Sequence, residues 1–299
     1  MDFKKIILIA FDWLQNIIIG GFVVAVLWYG LRLTTFATFR IPTDSMEPAI
    51  MAGDQIIVNK WILGGRLLHL WKDIPEDEDV KVSRLPGIRA VRHNDILVFN
   101  FPYPESWDSL GFSTSKYYVK RCVALPGDTV SIVDAHYKIA GSDMLLGNQE
   151  SQDRLEEIMR SGHAEDMGVV TDTYPHMDGL DWTIMDFGPL YIPEAGSRIT
   201  LDSLSCGLYG NIIEWETGME LSVKGSSVFL GDSLARDYTF RNNCYFVAGD
   251  NSVNSQDSRY WGLLPEPFIH GVAMRVGKST NPNDGKIRWN RVYRKLSKV

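Results

Sequence analysis

Tyr117-Tyr118-Val119-Lys120-Arg121-Cys122-Val123-Ala124-Leu125-Pro126-Gly127-Asp128-Thr129-Val130-Ser131-Ile132-Val133 decides the fold. Two apolar runs of strand length flank a Pro-Gly-Asp turn signal, and their β-branched and aromatic residues suit a pleated surface. The same grammar recurs at residues 55–58, after Ala52-Gly53-Asp54, and at 95–99, 223–230 and 244–248, the last running into Gly249-Asp250-Asn251. No alternating strand-helix rhythm appears, so the chain reads as mainly antiparallel β rather than doubly wound α/β. One helix signal interrupts it, with Ser151 as N-cap, residues 152–160 as body and Gly162 as stop. That helix lies in a stretch rich in Asp, Gly and Pro, residues 134–225, which reads as a smaller inserted subdomain between core segments 39–133 and 226–299. A shorter insertion, residues 64–92, carries the acidic run Glu76-Asp77-Glu78-Asp79, expected as a solvated loop.

Composition narrows the function. The 299 residues are 45% hydrophobic and 22% charged, which excludes disordered, collagenous and disulfide-scaffold classes. A net charge of -7 offers no field for a nucleic-acid backbone, so no nucleic-acid partner is expected. Cys122, Cys206 and Cys244 show no CxxC spacing, and the six histidines no HExxH, so neither metal nor cofactor is expected. A Cys206–Cys244 bridge stays open.

Residues 6–33 hold only two charged groups, Asp12 and Arg32, and read as one transmembrane helix after a short segment, residues 1–5. From Trp13 to Tyr29 the apolar stretch rises roughly 24 Å, close to a hydrocarbon core, with aromatic residues at both ends. A cleavable signal peptide fits less well, because Arg32 follows the run and Thr35-Phe36-Ala37 is a poor cleavage site. Lys4 and Lys5 on one side balance Arg32 and Arg40 on the other, so charge alone does not orient the span.

Three constellations carry candidate chemistry. Ser45 stands in Pro42-Thr43-Asp44-Ser45-Met46-Glu47-Pro48, a loop whose prolines exclude helix; such a serine serves either as a turn former or as a nucleophile. Strand alternation puts Lys120 on one face with Tyr118, Cys122 and Ala124, and Val119, Arg121 and Val123 on the other. An ammonium among apolar neighbours is desolvated, which favours the neutral amine needed to accept a proton; the competing reading is an edge lysine that snorkels to water. The third is the polar segment from Gly249 to Gly262, where Asp257 and Arg259 are placed to pair. Ser113-Thr114-Ser115-Lys116 matches the SxxK string of penicillin-binding enzymes, but neither partner motif follows.

Taken in order, these motifs resemble those of the type I signal peptidases, membrane-anchored Ser/Lys proteases that remove signal peptides from exported proteins. Ser45-Met46-x-Pro48 is similar to the nucleophile box, Lys120-Arg121 with Leu125-Pro126-Gly127-Asp128 to the base box, and Gly249-Asp250-Asn251 through Asp257-Ser258-Arg259 to the last box. Asp186-Phe187-Gly188-Pro189 and Gly285-Lys286-Ile287-Arg288-Trp289 resemble versions from Bacteroidetes. The resemblance implies a coiled antiparallel β-sheet catalytic domain, Ser45 as acylating nucleophile and Lys120 as general base. It further implies that Ser255 orients the lysine, that the Ser45 N–H and the Thr43 hydroxyl hold the oxyanion, and that Asp257 and Arg259 support the site. Asp44, Ala49, Ser252 and Val253 depart from the family pattern without removing the dyad.

By the same resemblance, Ile41, Met46, Ile50, Tyr118 and Val119 are candidate walls of pockets for small residues at -1 and -3, as in Ala-x-Ala; each is also readable as ordinary core. The implied partners are signal peptides of exported preproteins, membrane lipid and the secretion translocon. The implied location is the bacterial cytoplasmic membrane, crossed once, with the catalytic domain on the outer face. A non-catalytic, membrane-anchored paralogue that binds exported peptides is the alternative, and a self-cleaving regulator is disfavoured by the span. The basic carboxyl end, with Lys286, Arg288, Arg291, Arg294, Lys295 and Lys298, reads as scattered surface charge, with lipid headgroups as the other reading.

Overall fold

The computed structural model describes residues 3–67, 82–106, 109–113, 116–177 and 179–296; the run Glu76-Asp77-Glu78-Asp79 lies outside them. Helix α1 (Phe3–Thr35) contains an apolar window, Trp13–Gly30, of mean hydropathy 1.5, none of which is buried against protein. Eighteen helical residues rise about 27 Å, enough for a hydrocarbon core, so this face-all-round apolar helix is suited to lipid.

α1 runs directly into a seven-stranded antiparallel sheet. Its strands are β1 (Phe36–Arg40), β2 (Asp54–Asn59), β3 (Ile96–Asn100), β4 (Tyr117–Ala124), β5 (Cys244–Ala248), β6 (Leu264–Pro265) and β7 (Ile269–Ser279). They lie in the order β1-β2-β7-β3-β4-β5-β6, so the mainly antiparallel β reading holds. Register breaks at Ile269/Gly271, Ala273/Arg275 and Val276/Lys278 interrupt β7, and such bulges bend a strand and increase its twist.

Alternation along β4 sorts its side chains as the sequence leads one to expect, up to Cys122. Cys122 and Tyr118 pack with Leu97, Phe99, Val247 and Trp261 on one face, and Val119 with Ile41, Met46, Ile50 and Val98 on the other. The register with β5 then slips at Phe246/Val247, and Val123 and Ala124 both join a third cluster with Val130 and Phe246. A strict period of two fails there because a bulge re-aims the chain.

Beyond that point Thr129–Val133 pairs with His136–Ile139 and with Phe187–Tyr191. Helix α2 (Gln149–Ser161) starts earlier than Ser151: Asn148 is the N-cap, its side chain accepting from the Ser151 N–H, while Gly162 ends the helix at φ 76°. Ser151 is freed for another task, since its Oγ accepts from the Ser252 N–H at 2.7 Å. Helix α3 (Ser203–Thr217) escapes the sequence reading because Gly207 and Gly210 sit inside it; a Cβ at Gly207 would come within 2.4 Å of Met177 Sδ. Close packing overrides the poor helix propensity of glycine there. Cys122, Cys206 and Cys244 are all free thiols, so the Cys206–Cys244 bridge is not formed.

Replacing the actual cap separates these two readings of α2. Asn148→Ala is expected to lower unfolding free energy by about 1 kcal/mol, measured by urea denaturation.

Candidate active site

Ser45 belongs to no regular element. Its loop, residues 41–53, closes at the neck through Ile41 N–H to Asp54 O and Gly53 N–H to Ile41 O, both 2.8 Å. Inside it, Glu47 N–H donates to Asp44 O and Ile50 N–H to Met46 O, which curls the backbone and drives Met46 and Ile50 into the core. The segment after β5 holds the loop from the front: Asn251 N–H donates to Ser45 O at 3.1 Å, and Asn254 Nδ2 reaches both Asp44 carboxylate oxygens, 3.2 and 3.1 Å away. The loop is thereby laid across β4, with Lys120 Nζ 2.7 Å from Ser45 Oγ.

Lys120 is 3% exposed, so the snorkelling alternative fails. Burial is the largest influence on its amine and pulls the pKa down to about 8; the nearby Asp257, Asp250 and Asp44 carboxylates oppose that shift, and Arg259 adds to it. A lysine so placed is substantially neutral at mildly alkaline pH.

Two buried ion pairs frame the amine. Arg259 Nε and Nη2 each lie 2.8 Å from an Asp257 oxygen, and Asp257 also accepts from Gly249 N–H, so the predicted pair forms. Arg121 grips Asp250 bidentately at 2.5 and 2.6 Å and donates to Asn94 O. The sequence reading missed this second pair. Its signal was present: Arg121 sits next to Lys120 on the strand, and β4 pairs with β5 so that Arg121 lies opposite Ala248, two residues before Asp250.

Gly249 lets these segments meet. A Cβ there would stand 2.2 Å from Ser255 Oγ and 2.5 Å from Ser45 O. Ser255 thus lies at the site, but its Oγ is buried without a hydrogen-bond partner, so the expected bond to the lysine amine is not made. Thr43 is exposed beside Ser45.

Ser45 and Lys120 open into a cavity of about 340 Å³ lined by residues 39–46 and 117–120 with Asn254 and Gln256. Ile41, Met46, Tyr118 and Val119 therefore line it as expected. Ile50 does not; it is fully buried behind the wall in the cluster with Ile41 and Met46.

A signal peptidase, peptidase S26, family model matches residues 12–276, most of the chain and all of this site. The chain belongs to that family. Membership makes it an enzyme, a serine endopeptidase. It is 23% identical over 275 residues to the signal peptidase I of Buchnera aphidicola subsp. Acyrthosiphon pisum, covering 88% of this chain and 76% of that one. With the signal peptidase I of Aquifex aeolicus it shares 25% identity over 238 residues, covering 80% and 74% of the two chains. A solved signal peptidase I from Enterococcus faecalis V583 is 23% identical, covering 62% of this chain and 98% of that one, at a TM-score of 0.27, too loose to compare folds.

Three of the four departures from the peptidase pattern have local explanations; the structure gives none for Ala49. Asp44 ties the Ser45 loop to Asn254. Ser252 and Val253 face α2, the former through Ser151 and the latter in the apolar cluster of Leu155, Ile158 and Tyr260. The carboxyl end needs a correction. Arg288 and Arg291 are not scattered surface charge: both reach the buried Asp54 behind the Ser45 loop, Arg291 at 2.6 Å. A charge that runs outward in the sequence is drawn inward by a buried carboxylate that has to be paired.

Asp44 supplies a test of the electrostatics, because its carboxylate favours the charged amine. In Asp44→Asn, which keeps an oxygen for Asn254, the Lys120 amine is expected to titrate below the wild-type midpoint, followed by NMR of labelled lysine. An upward move would contradict the assigned sign.

Proposed function

We propose that the chain is a membrane-anchored signal peptidase that cuts exported preproteins with Ser45 as nucleophile and Lys120 as general base. The observation that carries this reading is the buried Lys120 amine 2.7 Å from Ser45 Oγ at the floor of an open cavity. When charged, the amine donates to Ser45 Oγ; when neutral, it accepts the hydroxyl proton as the oxygen attacks the scissile carbonyl. The resulting ammonium returns that proton to the leaving amine, and water then hydrolyses the acyl-enzyme. The Ser45 N–H and the Thr43 hydroxyl would receive the oxyanion, a type of donor whose removal typically costs about 3 kcal/mol of transition-state stabilisation.

Strand edges favour an extended substrate. Among the described residues β1 pairs only with β2, and the Tyr117–Lys120 half of β4 pairs with β3 on one side while its contacts with β5 begin at Arg121. A peptide entering between them has backbone groups to bond, with alternate side chains meeting Ile41, Met46, Tyr118 and Val119. These shallow apolar walls suit small residues at -1 and -3. The Asp257–Arg259 pair, through Gly249 N–H, keeps the lysine side of the site in place, and Ser255 Oγ lies packed against Gly249 beside it. α1 anchors the enzyme in the bacterial cytoplasmic membrane with the catalytic part outside, where lipid and the translocon would deliver the substrate.

Detergent-purified chain is expected to cut a preprotein after the second Ala of Ala-x-Ala, with Ser45→Ala and Lys120→Ala each at least 10²-fold slower. Because the amine must be neutral, kcat/KM should rise about tenfold per pH unit below the Lys120 pKa of about 8 and level off above it. Folded wild-type protein that leaves several preproteins intact would instead support the peptide-binding paralogue.

A further inference from the structure

The nucleophile loop has no strand or helix to stiffen it between β1 and β2, and its hydrogen bonds to the 251–254 segment, all made at Asp44 and Ser45, hold only one end. The other end, residues 48–54, is gripped by the chain after β7. Arg291 Nη2 lies 2.9 Å from Ala49 O and 2.6 Å from Asp54 Oδ2, its Nε 3.2 Å from both Asp54 oxygens, and its Nη1 3.5 Å from Pro48 O. Arg288 Nη2 lies 2.6 Å from Ala52 O, 3.4 Å from Asp54 Oδ1 and 3.5 Å from Thr280 O, while its Nε donates to Ser279 Oγ at 2.7 Å.

Asp54 is fully buried, and Arg291 nearly so. Burial alone would raise the Asp54 pKa, but hydrogen bonds from Arg291, the Met51 N–H and Ser279 outweigh it and hold the carboxyl below its ordinary value. It is therefore an anion wherever the peptidase works, and the guanidinium is its counter-charge. Asp54 opens β2 and its own backbone oxygen closes the loop neck on Ile41. One guanidinium thus bonds the neck, through Asp54, and the far arm, through Ala49, of a single loop. Ala49 is linked back to Ser45 by the tight turn in which Ile50 N–H bonds Met46 O. A planar fork of donors can span a carboxylate and a carbonyl together; an ammonium, a point charge, cannot.

We infer that Arg291, seconded by Arg288, is a positioning residue that sets where Ser45 Oγ stands against Lys120, so the tail beyond β7 is part of the peptidase's working site. This rests on Ser45 being the nucleophile. Misplacing a reacting atom by about 1 Å costs on the order of 10²-fold in rate, and the loop has that freedom once its back is released. Electrostatic attraction to a membrane does not require this geometry, since the two arginines spend their donors inside the protein.

The test is single-turnover cleavage of an Ala-x-Ala preprotein by full-length enzyme in excess, which separates the rate constant at each competent site from the fraction of competent sites. Arg291→Met is expected to cut the rate constant at least tenfold with full amplitude, with KM within about threefold and the midpoint of the pH rise unmoved. Arg291→Lys should recover part of the loss and Arg288→Lys should show a smaller one, while Lys286→Gln, which removes an exposed tail charge, should match wild type. If Arg291→Met loses amplitude while the remaining sites react at the wild-type rate, the residue merely supports folding and the inference is wrong. Should Arg291→Met fail to fold, wild-type rate constants in both Arg291→Lys and Arg288→Lys would overturn it equally, as would an equal loss in Lys286→Gln. Wild-type enzyme that does not cleave at all would instead overturn the reading of Ser45.

Discussion

Everything at the site depends on keeping one lysine amine out of water. An ammonium loses its hydration when buried, so the neutral form gains, but three carboxylates stand near enough to undo that gain. The structure resolves the conflict by pairing. Asp257, the strongest of the three at the amine, is opposed there by its partner Arg259, Asp250 is held by Arg121, and burial prevails over what remains of the acids' pull. The acids then serve as scaffold: Asp257 caps the turn after Ser255 and receives Gly249 N–H, and Asp250 ties the segment that holds Ser45 O to the strand that carries Lys120.

Such pairs are poor sources of stability, since desolvating two ions offsets most of their attraction. What they supply here is geometry. Both arginines are 1% exposed and both make bonds to backbone carbonyls besides their carboxylates, Arg121 to Asn94 O and Arg259 to Ser252 O. Removing either partner would leave an uncompensated buried charge, which costs more than the pair contributes and gives the arrangement its single solution.

The candidate site also lies close in the chain to the apolar helix. α1 continues without a loop into β1, and the Lys60 N–H bonds Thr35 O where the helix ends, so the first strand of the sheet stands between the apolar helix and the Ser45 loop that follows it. The cavity, between β1 and the half of β4 that β5 leaves unpaired, therefore opens beside the strand that follows the apolar helix. The short distance in sequence between Gly30 and Ser45 has a mechanical meaning: little chain separates the site from the apolar helix.

Local rules were enough to read the apolar helix and most of the core strands, because apolar run length, period and Pro/Gly punctuation are properties of consecutive residues. They ran residues 223–230 together, however, where the chain turns between Leu221–Lys224 and Ser227–Leu230, and they passed over Ile269–Ser279. They marked Ser45 and Lys120 as candidates and Asp257 and Arg259, two residues apart, as able to pair, while the order of the motifs was read from the family resemblance. They could not decide whether Lys120 snorkels or is buried, since that depends on the loop laid over it from 75 residues away. Nor could they find Arg121–Asp250, pair Arg291 with Asp54, move the cap of α2 from Ser151 to Asn148, or keep Ile50 out of the cavity wall. Each of those is settled by which distant backbone or carboxylate occupies the neighbouring space. Burial of a charge is a property of the assembled fold, and so is the partner that makes it tolerable.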